Sequence, residues 1–353
     1  MKTRITISTL LLICLSVLLI GSESAIPFEQ HPIPFKTPKG WPKPFYKFKN
    51  NKLTEEGFEL GKKLFYDGRL SKNGEFSCGS CHQPFAAFAH FDHDLSHGVN
   101  DQLSTRNAPA IINVAWMKEM HWDGAINHIE VQPLAPITHP SEMGEQLDSV
   151  LQKLKNDTSY VRMFNEAFGT PEISSQRMLR ALTQFVASLV SSNSKFDRYK
   201  RGETTLTDYE LKGYQHFKTH CSSCHKEPLF TDNEFHNNGQ KLNRFNDLGR
   251  MKVTGNVADS LKFKTPTLRN VQITYPYMHD GHIYSLSQVI EHYTRSIDTL
   301  NPALDPALRK KINLSKKEKM ELVYFLYTLT DSSLINNPRF AAPRPLTKGH
   351  DHR

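Results

Sequence analysis

Two five-residue words, Cys78-Gly79-Ser80-Cys81-His82 and Cys221-Ser222-Ser223-Cys224-His225, constrain this chain more than any other feature. Each is C-x-x-C-H, the attachment pattern for c-type haem. The two thiols add to the vinyl groups of the porphyrin, and the adjacent imidazole reaches the iron as proximal ligand. The spacing is tight because one short turn must present both sulfurs to the porphyrin edge and the ring to its face. Of the five cysteines only Cys14 lies outside the two words. The same thiols could serve a four-cysteine zinc site, or disulfides and a redox pair, but neither needs a histidine after each second cysteine. The expectation is therefore two covalently bound haem c groups, held by Cys78, Cys81 and His82 and by Cys221, Cys224 and His225.

A chain of 353 residues is long enough for two domains of ordinary size, and 38% hydrophobic with 23% charged residues fits a soluble globular protein. Met1-Lys2-Thr3-Arg4 followed by an apolar run to Ile20 has the charged and apolar regions of a secretory signal. Small residues at Ser22, Ser24 and Ala25 place its cleavage near residue 24, so that Cys14 is discarded. Ile13 argues against a lipoprotein site at Cys14, and the run is short for a full membrane span. No later segment has the length and apolarity to cross a bilayer. Export to the periplasm agrees with the haem words, because c-type attachment occurs outside the bacterial cytoplasm. The net charge is +8, yet the lysines are scattered and no arginine-rich stripe occurs, which excludes nucleic acid as the expected partner. A basic surface could steer an acidic electron-donor protein, although a solvated face is the commoner cause.

Residues 25–51 form a proline- and aromatic-rich arm without a helix of its own. Thr54, followed by Glu55 and Glu56, predicts a helix N-cap, with Phe58, Leu60, Leu64 and Phe65 on its apolar face. Leu206-Thr207 begins a second such helix through Leu211, Tyr214 and Phe217, just before the second haem word. This is a weak internal repeat: a Leu-Thr cap, a helix carrying Gly61 or Gly213, then C-x-x-C-H. It predicts an all-α protein of two cytochrome c-like domains, each around one covalently attached c-type haem, over 52–200 and 201–335. One long helix is expected from Ser174 to Tyr199, with Leu179, Leu182, Phe185, Val186 and Leu189 inward. A closing helix capped by Ser315 is expected to pack through Met320, Val323, Tyr324 and Leu326 to Leu329. The tail, 336–353, is proline-rich and basic and is expected to be poorly ordered.

Between and around the haem words stand Leu60-Gly61 with Leu64-Phe65-Tyr66-Asp67, Thr105-Arg106-Asn107-Ala108-Pro109, Trp122-Asp123-Gly124 and Glu142-Met143. Thr265-Pro266-Thr267-Leu268-Arg269-Asn270-Val271 and Pro276-Tyr277-Met278-His279-Asp280-Gly281 follow. In this order the chain resembles the bacterial di-haem cytochrome c peroxidase and MauG family over nearly all of its mature length. The resemblance implies a peroxidatic N-terminal haem with an open distal face, an electron-transferring C-terminal haem, and a calcium ion near their interface.

Carried over by position, the resemblance makes Glu142 the catalytic acid–base group, Gln132 a distal hydrogen-bond donor to peroxide, and Trp122 the indole between the haems. His97 matches a removable distal ligand of the first iron, while Pro136 matches the proline of MauG-type pockets, which keep that iron open. Tyr293 falls where ordinary family peroxidases place a methionine ligand to the second iron, and MauG-type enzymes also have tyrosine there. A hard phenolate favours ferric iron, whereas a soft thioether favours ferrous iron. Met278 aligns with a different, non-ligand position. Asn107, Thr274 and Pro276 match the calcium contacts, the last two through backbone oxygen.

The resemblance implies an enzyme, a periplasmic peroxidase reducing hydrogen peroxide to water with electrons from a small redox protein such as a cytochrome c or a cupredoxin. The alternative is a MauG-like enzyme that oxidises residues of a partner protein through high-valent haem. A pure electron-transfer di-haem cytochrome is the third reading, and Glu142 with Gln132 speaks against it. A homodimer is left open.

Overall fold

The computed structural model describes residues 29–343. The expected signal segment at 1–24 lies outside the described residues, as do residues 344–353 of the tail.

Four helices organise the chain. α1 (Glu55–Phe65) starts where Thr54 accepts the amide of Gly57, and it buries Phe58, Leu60, Leu64 and Phe65. It crosses α2 (Ser175–Ala187) at Gly61, where a Cβ would overlap the carbonyl oxygen of Ala181. α3 (Asp208–His220) is capped by Thr207 in a reciprocal box with Glu210, and α4 (Lys316–Tyr327) by Ser315 with Glu318. These two cross at Gly213, where a Cβ would overlap the carbonyl oxygen of Glu321. The two crossings are built alike: glycine lets the backbones close, and Phe185 or Phe325 fills the next turn.

Each pair anchors a core. Phe58, Phe65, Phe88, Tyr160, Phe164 and Phe185 lead the first; Phe196, Phe217, Phe230, Leu322 and Phe325 lead the second. The only named strands among the described residues are β1 (Phe235–His236) and β2 (Phe263–Lys264), an antiparallel pair in the second half. No helix of the described residues is long and apolar enough to cross a membrane.

Three expectations from the sequence are corrected. The helix expected over 174–199 is two helices, α2 and Lys195–Lys200. Between them, Ser191, Ser192 and Asn193 give their hydrogen bonds to the buried carboxylate of Asp331, and Ser194 caps the next helix with Asp197. Phe196 accordingly packs in the second core, on the near side of the expected division at residue 200. Leu326 on α4 and Leu329 just beyond it are buried as expected, but Met320, Tyr324 and Tyr327 face outward. The crossing at Gly213 turns Glu321, Leu322 and Phe325 inward instead. The first part of the tail is packed: Phe340 joins Phe58 and Phe185, its carbonyl accepts the Tyr66 hydroxyl at 2.6 Å, and Arg339 pairs with Glu55.

The arm has no helix over its described part, yet it is tied down. Phe35, Trp41 and Phe48 pack with Trp116 and Tyr46, and Trp41 also covers the guanidinium of Arg269 at 4.5 Å. Arg269 is buried in the second half and makes a two-pronged pair with Asp197. One aromatic side chain thus touches both halves.

Candidate active site

Both haem words begin close behind the organising helices. Cys78–Cys81 forms a single helical turn capped by Ser77, and Cys221-Ser222-Ser223-Cys224 follows directly from the end of α3. The same backbone device fixes both histidines. Nδ1 of His82 lies 2.9 Å from the carbonyl oxygen of Phe88, and Nδ1 of His225 lies 3.1 Å from that of Phe230. A carbonyl only accepts, so each Nδ1 carries the proton and each Nε2 keeps its lone pair for a metal. None of the four thiols is in a disulfide.

The two words line one interior cavity of about 580 Å³, together with Phe65, Ile111, Leu182, Leu286, Leu322 and Leu326. An apolar wall, paired thiols at an edge and an imidazole with its outer nitrogen unprotonated form a donor set suited to haem. The residues present therefore fit the group.

Glu142, Gln132, Trp122 and Pro136 line this cavity with the first word. The Glu142 carboxylate has no hydrogen-bond or ion-pair partner among the described residues, and burial raises its pKa above the usual carboxylate range, with His139 acting in the opposite direction. Its backbone is fixed by the neighbouring loop. The Val99 amide donates to the Glu142 carbonyl at 2.8 Å, and Gly98 approaches so closely that a Cβ would strike the backbone of Ser141 and Glu142.

His97 also borders the cavity, but its side chain is 46% exposed and its Nδ1 is 2.7 Å from Asp101. Its ring stands beside His93 at 5.2 Å.

Trp122 ties the halves together. Its indole N–H donates to the Asn107 carbonyl at 2.8 Å, and its own carbonyl accepts the Lys264 amide at 2.7 Å. Below it, Arg106 of the first half spans Asp123 and Asp247 with contacts of 2.6 to 2.8 Å. Asn107, Thr274 and Pro276 border the same cavity. The Asn107 side-chain N–H donates to the Asp94 carbonyl at 3.0 Å, which turns its oxygen the other way.

Tyr293 lines the cavity beside the second word, and burial pushes its phenol up to about 12. It sits in a π-helical turn, His292–Ser296, that continues the helix Leu286–Glu291. Widened turns of this kind often mark functional sites. The Asn238 side-chain N–H donates to the Tyr293 hydroxyl at 3.3 Å. Neither Asn238 nor His139 was singled out by sequence reasoning. His139 had a faint signal, three residues before Glu142; Asn238 lies 55 positions from its partner and had none.

A mainly helical chain with two such words around a shared cavity fits the class of di-haem cytochromes, and comparison with known proteins defines it further. The family model for di-haem cytochrome c peroxidase matches residues 55–205. The methylamine utilization protein MauG of Methylorubrum extorquens is 37% identical over 303 residues, 84% of this chain and 83% of that protein. Cytochrome c551 peroxidase of Nitrosomonas europaea is 34% identical over 304 residues, 81% of this chain and 82% of that protein. The crystal structure of a MauG-like protein associated with microbial copper homeostasis superposes with a TM-score of 0.82 at 32% identity, covering 88% of this chain and 99% of that one. The chain belongs to the di-haem cytochrome c peroxidase family. It is an oxidoreductase, and haem is its cofactor.

Proposed function

We propose that this protein is a periplasmic peroxidase that reduces hydrogen peroxide to water with electrons from a small redox protein, a cytochrome c or a cupredoxin. The observation that carries this reading is the unpartnered, desolvated carboxylate of Glu142 in the cavity beside Cys78, Cys81 and His82. The halves at 52–200 and 201–335 are cytochrome c-like domains, each holding one covalent haem through its two thiols and its histidine. When bound, haem supplies the redox-active iron at which peroxide is cleaved.

The side chains do the rest. Breaking the O–O bond heterolytically needs a base that takes the proton from the near oxygen and returns it to the far one. Glu142 is that base, and its raised pKa brings it closer to the value at which one group gives and takes protons well. Gln132 donates a hydrogen bond to the bound peroxide. Trp122 bridges the two halves as a relay, held at its indole by Asn107 and at its carbonyl by the Lys264 amide. Tyr293 would supply its phenol oxygen to the second iron, with Asn238 orienting its hydroxyl. The side-chain oxygen of Asn107 and the carbonyls of Thr274 and Pro276 hold calcium at the junction of the halves, a hard-oxygen set that suits it.

The second reading, oxidation of a partner protein's residues as in MauG-like enzymes, is favoured by Tyr293 in place of methionine and by Pro136 in the first pocket. Turnover with reduced cytochrome c or a reduced cupredoxin, set against mass-spectrometric change in a co-expressed partner protein, separates the two. Rapid peroxide-dependent oxidation of the small donor supports the first; a modified partner with an inert donor supports the second.

A further inference from the structure

Three lysine or arginine side chains border the cavity: Arg106, Lys252 and Lys264. Arg106 is matched by Asp123 and Asp247, and Lys252 by Asp247 at 3.3 Å. Lys264 is buried and has no carboxylate partner among the described residues. The two acids nearest in effect, Glu119 and Asp123, are committed elsewhere, Glu119 to Arg250 and Asp123 to Arg106. An ammonium has three protons to place. One goes to the Glu119 carbonyl at 2.8 Å, and another faces only the weak acceptor sulfur of Met117 at 3.8 Å.

A buried ammonium without a counter-charge is costly enough that proteins pair it or neutralise it. Burial lowers this lysine's pKa to about 8 even against the opposing pull of Glu119 and Asp123. The charge is therefore short of one anion, on the cavity side. The internal repeat sharpens the point. Lys264 precedes Pro266 as Asn107 precedes Pro109, and the two proline carbonyls act alike on His225 and His82. The second half thus has a cation where the first has a neutral amide.

We propose that Lys264 is an anion-binding residue of the second haem pocket, pairing with a propionate carboxylate of the haem and holding that haem's reduction potential above what it would otherwise be. The proposal rests on the reading of Cys221, Cys224 and His225 as a haem site, but not on the peroxidase reading. A cation beside the haem stabilises the added electron, and the pair as a whole is neutral. Without the cation, an ionised propionate disfavours reduction, and a protonated one does not.

Holoproteins carrying Lys264→Met and Lys264→Arg test this by haem content and by redox titration across pH. Two haems per chain in the parent protein establish the site; one or none removes the reading itself, independently of Lys264. With two haems present, Lys264→Met should match the parent potential in the pH range where its own propionate is protonated while Lys264 still holds the parent's ionised. It should fall below the parent as pH rises and the variant's propionate ionises. Only one of the two potentials should move, and Lys264→Arg should restore it. If Lys264→Met cannot hold the second haem while Lys264→Arg does, the charge is again what matters. Parent-like potentials at every pH in Lys264→Met, or equal haem loss in both variants, would overturn the proposal.

Discussion

The side-chain amide of Asn238 stands 3.3 Å from the Tyr293 hydroxyl and 3.7 Å from the Met278 sulfur. One amide therefore touches both a hard oxygen and a soft sulfur in the second half. Only Tyr293 rises from a helix, at the π-helical turn that widens its backbone beside Cys221 and Cys224.

Tyr293→Met follows from that contact. A phenolate held at the second iron would favour its ferric state, and the enzyme should then react with peroxide without prior reduction. Thioether stabilises ferrous iron, so the variant's potential should rise and its reactivity should come to depend on reduction first. Redox titration with stopped-flow mixing of each resting protein reads both effects. Matching potentials and low-spin signals would make Tyr293 a packing residue.

Glu142→Gln should stabilise the protein while it disables it. Folding raises the Glu142 pKa above its unfolded value of 4.5, so the native state holds the proton more tightly. The stability lost to this residue is absent below the unfolded pKa, grows as pH rises from there, and levels off above the folded one. The variant should therefore melt at a higher temperature than the parent at pH 7 and at the same temperature near pH 4. A lower melting temperature at pH 7 would mean that the carboxylate has a partner.

Haem should be lost one equivalent at a time. Cys78→Ala with Cys81→Ala should leave one haem by the alkaline pyridine haemochrome assay, and adding Cys221→Ala with Cys224→Ala should leave none. Two haems after the first pair of changes would contradict the attachment sites.

The crossings at Gly61 and Gly213 should respond alike to alanine. In each case the added methyl meets a backbone carbonyl of the partner helix, which cannot swing away as a side chain could. Overpacking of this kind costs about 1–3 kcal/mol. Each variant should show that loss in denaturant unfolding of the holoprotein, and an unchanged midpoint would mean that the helices slide apart freely.

Much of this was legible in the chain because it is local. Thr54, Thr207 and Ser315 cap the helices they were expected to cap, since a hydroxyl accepting an amide three residues on is a short-range event. What escaped depends on distant partners. The break after α2 exists because Ser191 to Asn193 find Asp331, about 140 residues away, and the inward face of α4 is chosen by Gly213 on another helix. In the site, both haem words were plain, and Glu142 and Tyr293 came from family register. Asn238 and Lys264 matter through contacts that no spacing encodes.

The most direct test of the central claim is the anaerobic reaction of the holoprotein with hydrogen peroxide and a reduced small c-type cytochrome, in parallel with Glu142→Gln. Reduction of one peroxide to water takes two electrons, so two cytochromes should be oxidised for each peroxide consumed. The variant should keep both haem spectra but run ~10²-fold slower or worse, the scale of a lost acid–base group. Peroxide consumption without cytochrome oxidation, or equal rates in the two proteins, would contradict the account.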